Sequence, residues 1–132
     1  MTGKGDDKLV VFVTCGSAEE ASRIARSVVD ARMAACVNIL GSPIESVYRW
    51  KGMVENAKEF LLIMKTTGAR FEGLHRLIKA LHSYEVPEII AIPIAGGSPS
   101  YLSWLETTLD AMKEKPQTQK RVPGKRRARR GA

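Results

Sequence analysis

Between residues 82 and 88 the chain reads His-Ser-Tyr-Glu-Val-Pro-Glu, which brings a metal-capable imidazole, a phenol and two carboxylates into seven residues. Pro87 fixes its own φ and pushes Val86 out of the helical region, so a helix arriving from Leu81 must end here and the polar groups sit in a held bend. Tyr84, Glu85 and Glu88 are therefore candidates to line a ligand pocket. The other reading is that Glu88 holds a neighbouring backbone and Tyr84 packs at a subunit contact.

Other residues carry fainter signals. Tyr48 and Trp50 alternate on one side of a ribbon arm and suit either a pocket wall or interface anchors. Lys65 has no partner visible in the sequence, so it is read as a cleft residue or a solvated lysine. Cys36 is expected to be a buried thiol and His75 a surface residue. Gly96-Gly97 before Ser98 makes a turn and cap rather than an anion cradle. The chain carries no acid/base dyad, nucleophile with a base, Gly-rich phosphate loop or HExxH pattern. Binding, not enzymatic turnover, is the expected activity.

The elements that must position these groups follow from length and charge. A chain of 132 residues suffices for one domain with a real core. Its formal charge of +7 divides unevenly, because residues 1–115 hold 14 Lys/Arg against 14 Asp/Glu and the excess sits in Lys120, Arg121, Lys125, Arg126, Arg127, Arg129 and Arg130. The expected organisation is a flexible leader over 1–7, a folded domain over 8–112 and a disordered basic tail over 113–132. Lacking interleaved aromatics, that tail is not expected to bind nucleic acid. Two cysteines make no disulfide framework, no signal peptide is evident, and no apolar run approaches the roughly 20 residues that span a bilayer. A cytoplasmic location without membrane insertion is expected.

Leu9 to Val13 reads as a strand buried on both faces, because its apolar run is continuous. Ser17, three residues before Glu20, has the capping-box pattern and opens a helix to about Arg32. Ala34 to Leu40 is a second strand. After Gly41-Ser42-Pro43, the arm Ser46 to Trp50 turns at Lys51-Gly52 and returns through Met53 to Thr66, with a bulge expected near Asn56-Ala57. Helical spacing of Phe71, Leu74, Leu77, Ile78 and Leu81 predicts a second helix from about Ala69. Ile89 to Ile94 is the last strand, with Pro93 placing it at an edge or near its end. Ser98-Pro99 opens a third helix.

This order is the βαββαβ arrangement of an α+β ferredoxin-like sandwich with a long β-hairpin and a C-terminal helix. Right-handed crossovers centre the first strand. Cys15, Glu88 and the hairpin then share one end of the sheet, while Cys36 and Lys65 share the other, so a Cys15 to Cys36 disulfide is not expected. Strands apolar on both faces leave one face that the third helix screens only in part. Burial of that face against identical subunits is predicted.

Five separated segments resemble the CutA divalent-cation tolerance family: Ala34-Ala35-Cys36-Val37-Asn38-Ile39, Ser46-Val47-Tyr48-Arg49-Trp50-Lys51-Gly52, Met64-Lys65-Thr66, His82-Ser83-Tyr84-Glu85-Val86-Pro87-Glu88-Ile89 and Tyr101-Leu102-Ser103-Trp104-Leu105. The resemblance covers roughly residues 8–110. It implies a ferredoxin-like subunit in a tight homotrimer, similar in architecture to PII signalling proteins, that binds copper or another divalent ion. The family's copper-binding cysteine falls on Cys15 and its histidine on His82; where some members place two adjacent histidines, this chain has Leu81-His82. Thiolate and imidazole suit Cu(I), Cu(II) or Zn²⁺. The alternative for the pair is that Cys15 packs as a small hydrophobe and His82 caps the second helix. A second implied role is a PII-like signalling or scaffold trimer whose hairpin recruits a protein partner.

Overall fold

A computed structural model describes Gly5 and residues 7–110. Most of the expected leader, the end of the expected domain at 111–112 and the basic tail at 113–132 lie outside the described residues. The described chain forms β1 (Lys8–Cys15), α1 (Ala18–Asp30), β2 (Cys36–Ile39), β3 (Ile44–Trp50), β4 (Met53–Thr67), α2 (Gly68–Leu81), β5 (Ile89–Pro93) and α3 (Pro99–Asp110). The fold is thus mixed α+β. The sheet runs in the order β2-β4-β1-β5 with β3 pairing to β4, and every pairing is antiparallel. β1 is central, as the crossovers require, and Pro93 closes the edge strand β5, where its missing N–H breaks no ladder.

Strand alternation builds the core. Leu9, Val11, Val13 and Cys15 of β1 point to one face, joined by Leu62 and Met64 of β4, and they pack on Ala21, Ile24 and Val28 of α1 and Leu74 and Ile78 of α2. The register sets Val11 against Met64 on one side and Ala91 on the other, so the inward sets of all three strands coincide. The continuous apolar run of β1 predicts two closed faces. In the single chain one is closed, and Val10 and Phe12 on the other are half-buried.

α3 covers part of that second face. Leu105 and Leu109 pack with Ala35, and Lys8 Nζ meets Glu106 Oε1 at 2.8 Å. The C-terminal carbonyls of α3 are satisfied from outside the helix: Arg32 donates to Thr108 O and Arg70 to Leu109 O. Arg32 stands in the left-handed region at φ 58 just past the end of α1, a position where glycine is the cheaper residue. Its guanidinium bond to α3 offsets a backbone cost of about 1–2 kcal/mol. Toward the opposite end of the face the cover stops, leaving Ile90 49% and Ile92 48% exposed.

Several boundaries differ from the sequence reading. α1 ends at Asp30 rather than Arg32, because the left-handed turn at Arg32 interrupts it. β2 shortens from the expected Ala34–Leu40 to four residues, Cys36–Ile39. No bulge forms at Asn56-Ala57, since β3 and β4 keep an unbroken register from Ile44↔Glu59 to Trp50↔Met53. The irregularity lies elsewhere: Ile39 pairs with Leu62 and Ile44 with Glu59, so four residues of one segment face two of β4. The surplus of two falls within the Gly41-Ser42-Pro43 break. The tight turn itself is as expected, with Lys51 at φ 51 and Gly52 at φ 83, both central residues positive as a type I′ hairpin requires.

The packing of Leu62, fully buried between β1, α1 and α2, yields a direct test. Leu62→Ala is expected to cost about 2–5 kcal/mol, read as a lowered urea midpoint at fixed protein concentration with circular dichroism unchanged in the absence of denaturant.

Candidate functional site

The bend after α2 is held from three directions. His82 ends the helix, its amide still bonded to Ile78 O at 2.8 Å while its own backbone turns extended. The imidazole points inward, with Nε2 2.7 Å from Thr14 O of β1 and Nδ1 accepting the Tyr84 N–H at 3.1 Å. A carbonyl can only accept, so Nε2 is the donor in that contact. From α1, Glu20 accepts the Ser83 N–H at 2.7 Å and the Ser83 hydroxyl at 3.1 Å. From β4, Glu59 Oε2 accepts the Tyr84 hydroxyl at 2.8 Å.

Glu20 does more than the capping pattern predicts. Ser17 accepts the Glu20 N–H at 3.1 Å as an N-cap should, but the carboxylate reaches the bend rather than returning to Ser17. Burial opposes its ionisation, yet the Ser83 bonds, the nearby His82 and the Gly16 amide together hold its pKa below the usual 4.5. Tyr84 is pushed above the ordinary phenol range by burial and by the Glu59 carboxylate to which it donates.

Beside the bend lies a groove of about 640 Å³. Thr14 of β1, Ser46, Val47, Tyr48 and Trp50 of β3, Glu59 of β4, and Tyr84, Glu85, Val86 and Glu88 of the bend line it. Five of the residues singled out from sequence, namely Tyr48 and Trp50 of β3 and Tyr84, Glu85 and Glu88 of the bend, thus meet at one place although they are far apart in the chain. Lys65 does not join them. It sits opposite Cys36 at the far end of the sheet, where its ammonium bonds to the Asn38 side chain. Cys36 is buried, as expected, although on the α3 side of β2, and His75 stacks on Phe71 with centroids 6.3 Å apart.

Cys15 and His82 occupy the same end of the sheet but neither lines the groove. Cys15 is fully buried and its Sγ lies 3.9 Å from Phe60 O. Burial, with the charges of Glu20 and Glu59 adding to it against Arg23, pushes its pKa up to about 11. A metal ligand must be a thiolate, and both ring nitrogens of His82 are already bonded. As folded in one chain, the pair does not fit an ion without giving up the Thr14 or Tyr84 contact. Among the described residues, no three His, Cys, Asp or Glu side chains converge closely enough to hold a metal.

Glu59 is the groove residue that sequence reasoning missed. It sits at the foot of the hairpin where alternation alone calls for a polar residue, and nothing local marks it as 7% exposed. Its cross-strand neighbours, and the distant tyrosine that finds it, exist only in the folded chain. Glu20 was visible as a cap residue and not as a tether.

Residues 9–108 match the family model described as the CutA1 divalent ion tolerance protein. The chain is similar to the divalent-cation tolerance protein CutA of Thermus thermophilus, 50% identical over 96 residues that cover 73% of this chain and 92% of that one. To the chloroplastic protein CutA of Arabidopsis thaliana it is 47% identical over 100 residues, 76% of this chain but 54% of the relative, so the match spans about half of that protein's length. Among solved structures, the periplasmic divalent cation tolerance protein CutA of Archaeoglobus fulgidus superposes with a TM-score of 0.75 at 41% identity, covering 78% of this chain and 99% of that one. The CutA1 structure of Oryza sativa gives a TM-score of 0.74 at 45% identity, over 77% and 93% of the two chains.

Because the folded pKa of Glu20 lies below its unfolded value, its contribution is fully present above about pH 4.5 and is lost as pH falls through the folded value. Glu20→Gln should therefore lower stability at pH 7 by about 1–3 kcal/mol and flatten the acid limb of a stability-versus-pH curve measured by urea denaturation. The buried, protonated Cys15 thiol should also stay unlabelled by iodoacetamide at pH 8 and label fully once the protein is denatured, as peptide mass mapping would show.

Proposed function

The chain belongs to the CutA1 divalent ion tolerance family, and from that premise we propose that it is a homotrimeric, ferredoxin-like protein of divalent-metal tolerance that binds copper or a related ion rather than turning over a substrate. The observation that carries the reading is the match to that family over residues 9–108, and one corner of the fold adds donors of suitable type. There the Cys15 thiol feels the Glu20 and Glu59 carboxylates, and the His82 imidazole lies 3.7 Å from Glu20. Thiol, imidazole and carboxylates are the donor types that copper and zinc accept. Ion binding there has to be accompanied by release of the Tyr84 amide or the Thr14 carbonyl from the imidazole, so the bend and the site respond together.

Assembly is supported by what a single chain leaves uncovered. Ile90 and Ile92 on the open face, and Val47, Tyr48, Trp50, Met53 and Val54 on the hairpin, are exposed, while among the described residues β2 and β5 end the sheet with one edge unpaired. Exposed apolar surface beside open strand edges is the arrangement that identical subunits close. The two free cysteines support a cytoplasmic location. None of the described helices is long and apolar enough to cross a membrane.

The same exposed hairpin supports a second reading, a PII-like signalling or scaffold trimer that recruits a protein, with metal binding incidental. A pull-down that fails when the hairpin is altered and survives replacement of Cys15 and His82 would favour it.

Sedimentation equilibrium is expected to return about three times the 14.5 kDa chain mass, and a stable monomer would remove the assembly. Calorimetric titration with Cu(II) is expected to show binding that Cys15→Ser combined with His82→Ala weakens about tenfold or more, equivalent to at least about 1.4 kcal/mol. Equal affinity in the wild type and the double variant would remove both residues as ligands.

A further inference from the structure

The N-terminus of α2 is closed from outside the helix. Thr67 is its N-cap, with the extended backbone of that position (φ −119, ψ 162), yet the threonine side chain makes no capping bond. A threonine there ordinarily accepts from the second or third helical amide. The second, Ala69 N–H, is donated instead to Gly5 O at 3.1 Å, and the first, Gly68 N–H, to Asp7 O at 2.9 Å. Backbone carbonyls ahead of β1 therefore do the capping. No acidic side chain stands in the first turn of α2, and the residue brought to this positive helix end is Asp7.

The displaced hydroxyl is the informative group. Thr67 is 3% exposed, and its Oγ1 is buried with no hydrogen-bond partner among the described residues. Such an oxygen costs free energy for as long as it stays unpaired. Valine has the same shape, suits a strand end as well and carries no oxygen to satisfy. A hydroxyl that destabilises with Gly5 in place becomes useful once Gly5 is withdrawn, because Ala69 N–H is then an orphan donor of the kind that an N-cap threonine accepts from. Gly5 itself is held lightly: it is exposed, and a Cβ added there would meet Ala69 Cβ alone, at 3.9 Å. Two caps thus compete for one amide. The turn they close also carries Arg70, which donates to Leu109 O and so ties α2 to the end of α3.

We propose that Gly5 and Asp7 form a releasable strap over the start of α2, and that the Thr67 hydroxyl takes over the cap when Gly5 leaves. Withdrawal of the segment ahead of β1 then leaves the helix, and its tie to α3, closed rather than frayed. The exchange takes place where Lys8 pairs with Thr67, at the end of the sheet away from the bend, and involves neither Cys15 nor His82.

Deleting residues 2–6 removes Gly5 and leaves β1, which begins at Lys8, complete. In the full chain Thr67→Val is expected to raise the urea midpoint, because the unpaired oxygen is gone. In the shortened chain the same substitution should lower the midpoint, because the cap is gone, whereas Thr67→Ser, which keeps a hydroxyl, should lower it less. Amide exchange followed by NMR in the full chain gives a reading that does not depend on the deletion. There Thr67→Val should slow exchange of the Ala69 amide about tenfold, by favouring the strapped state. If the shortened chain fails to fold, that exchange rate carries the test. A midpoint shift of the same sign in both chains, no shift in the full chain, or an Ala69 exchange rate unchanged by Thr67→Val would each overturn the proposal.

Discussion

The corner where β1, α1, β4 and the bend meet depends on polar groups that cannot be left unsatisfied once they are out of water. His82 bonds to Thr14, Glu20 to Ser83, and Glu59 to Tyr84. Each tie runs from the bend to a different element. In a low-dielectric setting a broken member costs the desolvation of both partners, so the set holds or fails together. The apolar core alone would allow the chain after α2 several paths back to the sheet. These ties select one, and with it the position of Tyr84 over the foot of the hairpin.

The same ties explain how the metal-capable groups come to be quiet. Burial that satisfies the imidazole also occupies it, and carboxylates that anchor Ser83 and Tyr84 raise the cost of a thiolate at Cys15. The groove is different in kind, because its outward carboxylates Glu85 and Glu88 answer to no other part of the described fold. The two sides of the bend thus differ: the inward side is committed to holding the chain, and the outward carboxylates are exposed.

Much of this was legible in the residues themselves. Apolar runs, periodicity and cap signals together identified the described strands and helices, since one-sided burial leaves two- and 3.6-residue repeats and two-sided burial a continuous run. Pro87 announced the bend, and Lys51-Gly52 the turn. Boundaries were less visible: the end of α1 is set by Arg32, whose left-handed backbone is held from α3, a contact about 76 residues away along the chain. The expected bulge was misplaced because the added residues lie in the Gly41-Ser42-Pro43 break, and local pattern does not say which of two antiparallel partners absorbs an offset. The bend residues and the hairpin aromatics could be identified separately. Glu59, which joins them, could not, because its burial is created by a tyrosine 25 residues downstream. Membership of Cys15 and His82 in a hydrogen-bonded corner was hidden for the same reason.

β4 has a mechanical meaning that goes beyond pairing. Its 15 residues, about 50 Å at the usual rise of a strand, belong at one end to the ribbon with β3 and at the other to the ladders with β1 and β2. Past the break at residues 41–43, the ribbon is continuous with the body through β4 and the return of β3. A force on the ribbon tip therefore runs lengthwise into β4 and loads the eight-residue ladder with β1 in shear. All of its hydrogen bonds share such a load at once, whereas a peeling force would take them one at a time. The protruding arm is thus a stiff handle on the sheet, and whatever grips it pulls on the centre of the domain rather than on a loose edge.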